Sequence, residues 1–114
     1  MIVGSIKEDL SLEKRVSITP ETAKNIINLG LKVIIENNYA SHIGITDKEY
    51  EVLGVEIRNS SKEVLKNCNL LTKVNCPSDD EISNLKAKTI LIGMLNPSKN
   101  QSKINDIVKK GINV

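Results

Sequence analysis

The feature that most narrows what this chain can fold into is a regular alternation of short branched-aliphatic runs with helical patterns. Ile2 to Ile6, Leu31 to Glu36, Val55 to Arg58, Leu70 to Val74 and Thr89 to Met94 read as strands, and a last strand starts at Ile112. Between them, helical spacing covers Pro20 to Leu29, Asp47 to Leu53, Ser61 to Lys66, Asp79 to Leu85 and Gln101 to Lys110. Strand followed by helix through short connections predicts βα units. The expected fold is α/β, a Rossmann-like or flavodoxin-like, mostly parallel sheet with helices on both faces, in one domain over residues 1–114. The core must be aliphatic, because 16 Ile, 11 Leu and 9 Val stand against two aromatics, Tyr39 and Tyr50.

The first helix shows how legible the punctuation is. Thr19 can cap it, Pro20 suits its first position, Glu21 complements the N-terminal dipole, and Gly30 closes it. Ala23, Ile26 and Ile27 share one face, so the helix packs by that stripe. Arg15 then falls upstream of the packed part, in the turn between strand and helix.

A parallel α/β sheet receives ligands outside the carboxyl ends of its strands. Arg15 follows the first strand, Lys73 and Asn75 end the fourth in "TKVNCP", and Asn96 follows the fifth in "GMLNPSKN". These four side chains are expected to converge on one edge. Arg15 can fork a carboxylate or phosphate, or pair at the surface with Glu13 or Glu8. Lys73 can add charge to the same crevice, although in a Lys-rich chain the plainer expectation is a solvated side chain. Asn75 and Asn96 can orient a ligand but cannot serve as acid or base near neutral pH; their plainer role is bonding loop backbone beside Pro77 and Pro97.

Other chemistries find less support. The net charge of +2 is spread along the chain without a basic block, and the stacking aromatics of a nucleic-acid surface are missing. Cys68 and Cys76 stand eight positions apart in no metal or redox pattern, and His42 is the only histidine, so reduced, buried thiols and no metal are expected. His42 reads as a surface-loop residue, and its pairing with a cysteine for nucleophilic catalysis has nothing to recommend it. No G-x-G-x-x-G occurs: the glycines at 4, 30, 44, 54, 93 and 111 are isolated. The start "MIVGSIKEDL" lacks a basic leader, and no apolar run approaches the roughly 18 residues of a membrane span. The chain itself reads as cytosolic.

The strings "EKRVSITPETAKNIINLGLKVIIE", "GITDKEYEVLGVEI" and "LLTKVNCPSDDEI", in this order and spacing, resemble the N-terminal domain shared by alanine dehydrogenase and the alpha subunit of the proton-translocating NAD(P) transhydrogenase. The resemblance runs from Ile2 to Val114. In alanine dehydrogenases it implies that Arg15 holds the substrate carboxylate, with a second substrate-binding lysine where this chain has Asn75 and a catalytic histidine where it has Asn96. Both groups are neutral amides here, and "KVNCPSDDEI" is more like the transhydrogenase alpha subunit.

That likeness implies hydride exchange between NAD(H) and NADP(H) coupled to proton translocation. The nicotinamides carry the reactivity, and no catalytic side chain is expected in this domain. The implied partners are the remainder of the alpha subunit, a beta subunit and a membrane domain, with a homodimer in the full enzyme. The implied location is cytoplasmic, peripheral to the inner membrane. Chains of this kind continue past the Ile112 strand into an NAD-contacting Arg/Gln/Asp loop and a Gly-rich nucleotide-binding domain. A fragment is therefore expected, one that neither binds NAD tightly nor transfers hydride alone, and that exposes apolar surface and self-associates. The alternatives are an alanine dehydrogenase-like amino-acid dehydrogenase domain and a residual non-catalytic interaction module.

Overall fold

Val33, Ile34 and Ile35 are consecutive and all buried, which a strand achieves only when both faces of its sheet are covered. A computed structural model describes residues 1–11, 13–75, 77–94, 104–105, 107–109 and 111–112, with Met94 by its backbone alone. The strands are β1 (Ile2–Ser5), β2 (Lys32–Glu36), β3 (Glu56–Arg58), β4 (Leu70–Asn75) and β5 (Ile90–Met94). They form one sheet in the order β3-β2-β1-β4-β5, with every pair parallel. The helices are α1 (Pro20–Asn28), α2 (Asp47–Glu51), α3 (Ser61–Asn67) and α4 (Asp79–Asn84), with a 3-10 turn at Ser41–Ile43. Residues 104–105 and 107–109 are also helical.

The chain adds β2 and β3 to one side of β1, then crosses back to add β4 and β5 on the other. Because parallel crossovers keep one hand, reversing the direction of growth moves the helices to the opposite face. Alternating side chains thus feed two cores. Val3, Val33 and Ile35 join Ile18, Ala23, Tyr39, Tyr50 and Val55 on the α1/α2 side. Ile34 and Leu71 join Val64, Leu65, Cys68, Ile82 and Leu91 on the α3/α4 side.

Local chemistry sets the element ends. Thr19 caps α1 by accepting the Thr22 N–H at 3.2 Å, and Gly30 follows at φ +87°. Thr46 with Glu49, and Ser78 with Glu81, form complete capping boxes for α2 and α4. The α2 helix stops at Glu51, earlier than its periodicity suggests, because a turn through Gly54 at φ +99° starts the chain back toward β3. Ile112 is buried but lies outside any strand, and the residues after it lie outside the described ones.

Candidate functional site

The order of addition reverses between β1 and β4, so the crevice outside their carboxyl ends is the topological switch point. Arg15 and Val16, between β1 and α1, form one wall. The ends of β4 and β5 form the other. An open cleft of about 390 Å³ lies between them, lined by Arg15, Val16, Lys73, Val74, Ile92 and Gly93. Two of the four expected residues, Arg15 and Lys73, are therefore brought to one cleft. Asn75 does not line the cleft, its backbone N–H being turned to Glu8, and Asn96 lies outside the described residues.

Lys73 corrects the expectation of a solvated lysine. Its side chain is 5% exposed, and Nζ lies 3.2 Å from Oε1 of Glu8, which is itself 1% exposed. Glu8 also accepts the Val74 N–H at Oε2 (2.9 Å) and the Asn75 N–H at Oε1 (3.2 Å). A buried ion pair survives desolvation only when further hydrogen bonds satisfy its atoms, and the two amides do so here. They are available because the β4–β5 register shifts between Thr72 and Asn75, a bulge that turns successive amides out of the ladder. Gly93 permits the close approach: a Cβ there would clash with the Lys73 carbonyl oxygen.

Arg15 is engaged by Glu13 rather than Glu8. Its Nε and Nη2 donate to the two Glu13 oxygens at 2.9 Å each, and its backbone N–H donates to Oε1 at 2.9 Å. The fork of Arg15 holds the Glu13 carboxyl at about 2, and Glu13 raises the Arg15 guanidinium in return. Arg15 remains 66% exposed, so the pair adds little to stability.

The loop that carries Arg15 is fixed from behind. Ile18 donates its N–H to the Tyr39 hydroxyl at 3.1 Å and accepts from the Tyr50 hydroxyl at 2.8 Å. Tyr39 also shares a 2.8 Å hydrogen bond with Ser5, whose Oγ donates to the Thr72 carbonyl at 2.7 Å. His42, exposed in the 3-10 turn as expected, donates from Nε2 to the Lys14 carbonyl at 2.7 Å. Sequence reasoning passed over Glu8 and both tyrosines as positioning groups. The one available signal was that the chain's only two aromatic residues, Tyr39 after β2 and Tyr50 in α2, stand eleven positions apart.

Cys68 is a buried free thiol pushed up to about 11 by burial, which suits a packing role. Cys76 lies outside the described residues. Among the described residues, no group of three or more His, Cys, Asp or Glu side chains is placed to hold a metal ion, and no helix is long and apolar enough to cross a membrane.

A profile described as "Alanine dehydrogenase/PNT, N-terminal domain" matches residues 4–114. The chain belongs to this family. Over its whole length it is 30% identical to an NAD(P) transhydrogenase subunit alpha of Haemophilus influenzae, covering 22% of that protein. An alanine dehydrogenase of Methanococcus maripaludis is 36% identical over 95 residues, 83% of this chain and 26% of the relative. The crystal structure of a transhydrogenase from Sinorhizobium meliloti superposes with a TM-score of 0.92 at 28% identity, over 98% of this chain and 33% of that one. The family therefore includes proteins of both named activities, and this chain spans about a fifth to a third of these relatives.

Proposed function

We propose that this chain is the N-terminal part of a transhydrogenase-type alpha subunit. In the complete assembly, with the remainder of that subunit, a beta subunit and a membrane domain, hydride passes between NAD(H) and NADP(H) as protons are translocated. In this reading the domain is scaffold rather than reaction centre, and the 114 residues alone are inactive.

The observation that carries the reading is the Lys73 charge, which Glu8 already takes, next to a neutral Asn at position 75 at the end of β4. Arg15 is the other cation of the cleft and is forked to Glu13. Among the described lining residues there is neither an imidazole nor a carboxyl to move a proton for amino-acid oxidation. Relatives named NAD(P) transhydrogenase that align with the whole chain support the same reading.

The described residues do not fit a dinucleotide by themselves. A pyrophosphate needs a Gly-rich turn that leads directly from strand into helix. Here residues 6–19 intervene, Glu8 places a carboxylate at the end of β4, and Thr19 caps the α1 amides. Nucleotide binding is accordingly assigned to the rest of the assembly.

Arg15 on the cleft wall, together with the alanine dehydrogenase relative, favours one second reading, an amino-acid dehydrogenase. NADH oxidation driven by pyruvate and ammonium, assayed on the native full-length product, separates the two. The transhydrogenase reading predicts no rate above the substrate-free blank, and a rate abolished by Arg15→Met would replace it with the second reading.

A further inference from the structure

Glu8 does more than neutralise a lysine. Three donors from one stretch of β4 converge on its carboxylate: Lys73 Nζ and Asn75 N on one oxygen, Val74 N on the other. That is the constellation expected of a receptor for an external carboxylate, with a cation and two successive backbone amides in a bulge. We propose that the end of β4 is a carboxylate receptor, that Glu8 is its resident carboxylate in this chain, and that shortening Glu8 opens the site to a small monocarboxylate such as formate or acetate.

The receptor is built by elements other than the loop that fills it. Its amides are aimed by the register shift between Thr72 and Asn75, and the Lys73 carbonyl that turns the other way is seated against Gly93 of β5. Removing the Glu8 carboxylate therefore leaves the donors in position. The donor set matches two oxygens and one negative charge. A dianion would leave a charge unmatched, because Arg15, the next cation along the cleft, is held by Glu13. Lys73 is also one of the residues lining the open cleft, so the receptor adjoins it. A Glu8→Ala change removes a CH₂–carboxylate fragment, so acetate restores what is lost in both volume and charge.

The proposal concerns this chain's own contacts and stands apart from the reaction assigned above. In this view Glu8 is a positioning residue. It ties the loop that carries Arg15 to β4 and keeps the Lys73 charge from incoming anions.

The experiment is thermal unfolding of the purified chain and its Glu8→Ala variant in formate, acetate or chloride at equal ionic strength. Glu8→Ala should unfold at lower temperature than the parent. Formate and acetate should raise its midpoint saturably while chloride does not, the parent should not respond, and adding Lys73→Met should abolish the rescue. A variant that responds to formate no more than to chloride overturns the proposal. Should Glu8→Ala stay unfolded in every salt, amide hydrogen exchange in the parent and in Glu8→Gln decides. Val74 and Asn75 should exchange on the order of tenfold faster once the carboxylate charge is gone. Equal rates in the two proteins overturn the proposal.

Discussion

Tyr39 and Tyr50 stand edge to face, ring centroids 5.9 Å apart at 77°, and their hydroxyls take the two backbone groups of Ile18, one accepting and the other donating. The contact fixes the end of the stretch between β1 and α1, which contains Glu8 and Arg15. Tyr39→Phe or Tyr50→Phe keeps the ring and strands one buried backbone group. Each should cost about 1–3 kcal/mol, the usual cost of an unsatisfied buried donor or acceptor. Urea unfolding should show the loss as a lower midpoint at unchanged slope; an unchanged midpoint would mean that the hydroxyls do not hold Ile18.

Glu13 gives a pH signature. Its folded value of about 2, set chiefly by the hydrogen bond from Arg15, lies below the ordinary 4.5. A depressed carboxyl contributes stability that is fully present above about 4.5 and lost as pH falls through about 2. The exposed Arg15 partner keeps that contribution small, so the readout is the titration itself. Carbon NMR of the Glu13 carboxyl should show a midpoint near 2 in the parent and a return toward 4.5 in Arg15→Met. Equal midpoints in the two proteins would mean that the fork is open in solution.

Gly93 tests the bulge. An alanine there would drive its Cβ into the Lys73 carbonyl oxygen, which belongs to backbone and cannot swing away. Gly93→Ala should cost on the order of 1–3 kcal/mol, the range of an overpacked site. It should also shift the amide resonances of Val74 and Asn75. A neutral substitution would mean that β4 and β5 run in regular register.

Cys68, held up to about 11 from 9.0 by burial, should be about two orders of magnitude poorer in thiolate near pH 8 than a free thiol. In a Cys76→Ser background it should react with an alkylating reagent only at the rate of unfolding. The sign of the linkage is fixed as well. The unfolded thiol ionises first, so stability is full below 9 and declines as pH rises toward about 11. Rapid alkylation at pH 8 would contradict the burial.

Much of this fold was legible because β2 is a continuous apolar run buried on both faces and each of α1 to α4 starts at a Ser or Thr cap. The convergence of Arg15 and Lys73 followed from topology alone, since a parallel sheet gathers its strand ends on one edge. The state of Lys73 was not legible. Its partner Glu8 lies 65 positions earlier, in a charged string that looks solvated, and a β-bulge leaves no local pattern. The roles of Tyr39 and Tyr50 escaped for the same reason, because the group they bind is backbone and a sequence does not display it.

The central claim is that this domain serves hydride exchange between nicotinamide nucleotides rather than amino-acid chemistry. Its most direct test is the rate of hydride transfer from NADPH to an NAD⁺ analogue in membranes of the source cells, before and after deletion of the coding segment for residues 1–114. The account predicts a measurable rate that disappears on deletion, while an undiminished rate, or none in the parent cells, would contradict it.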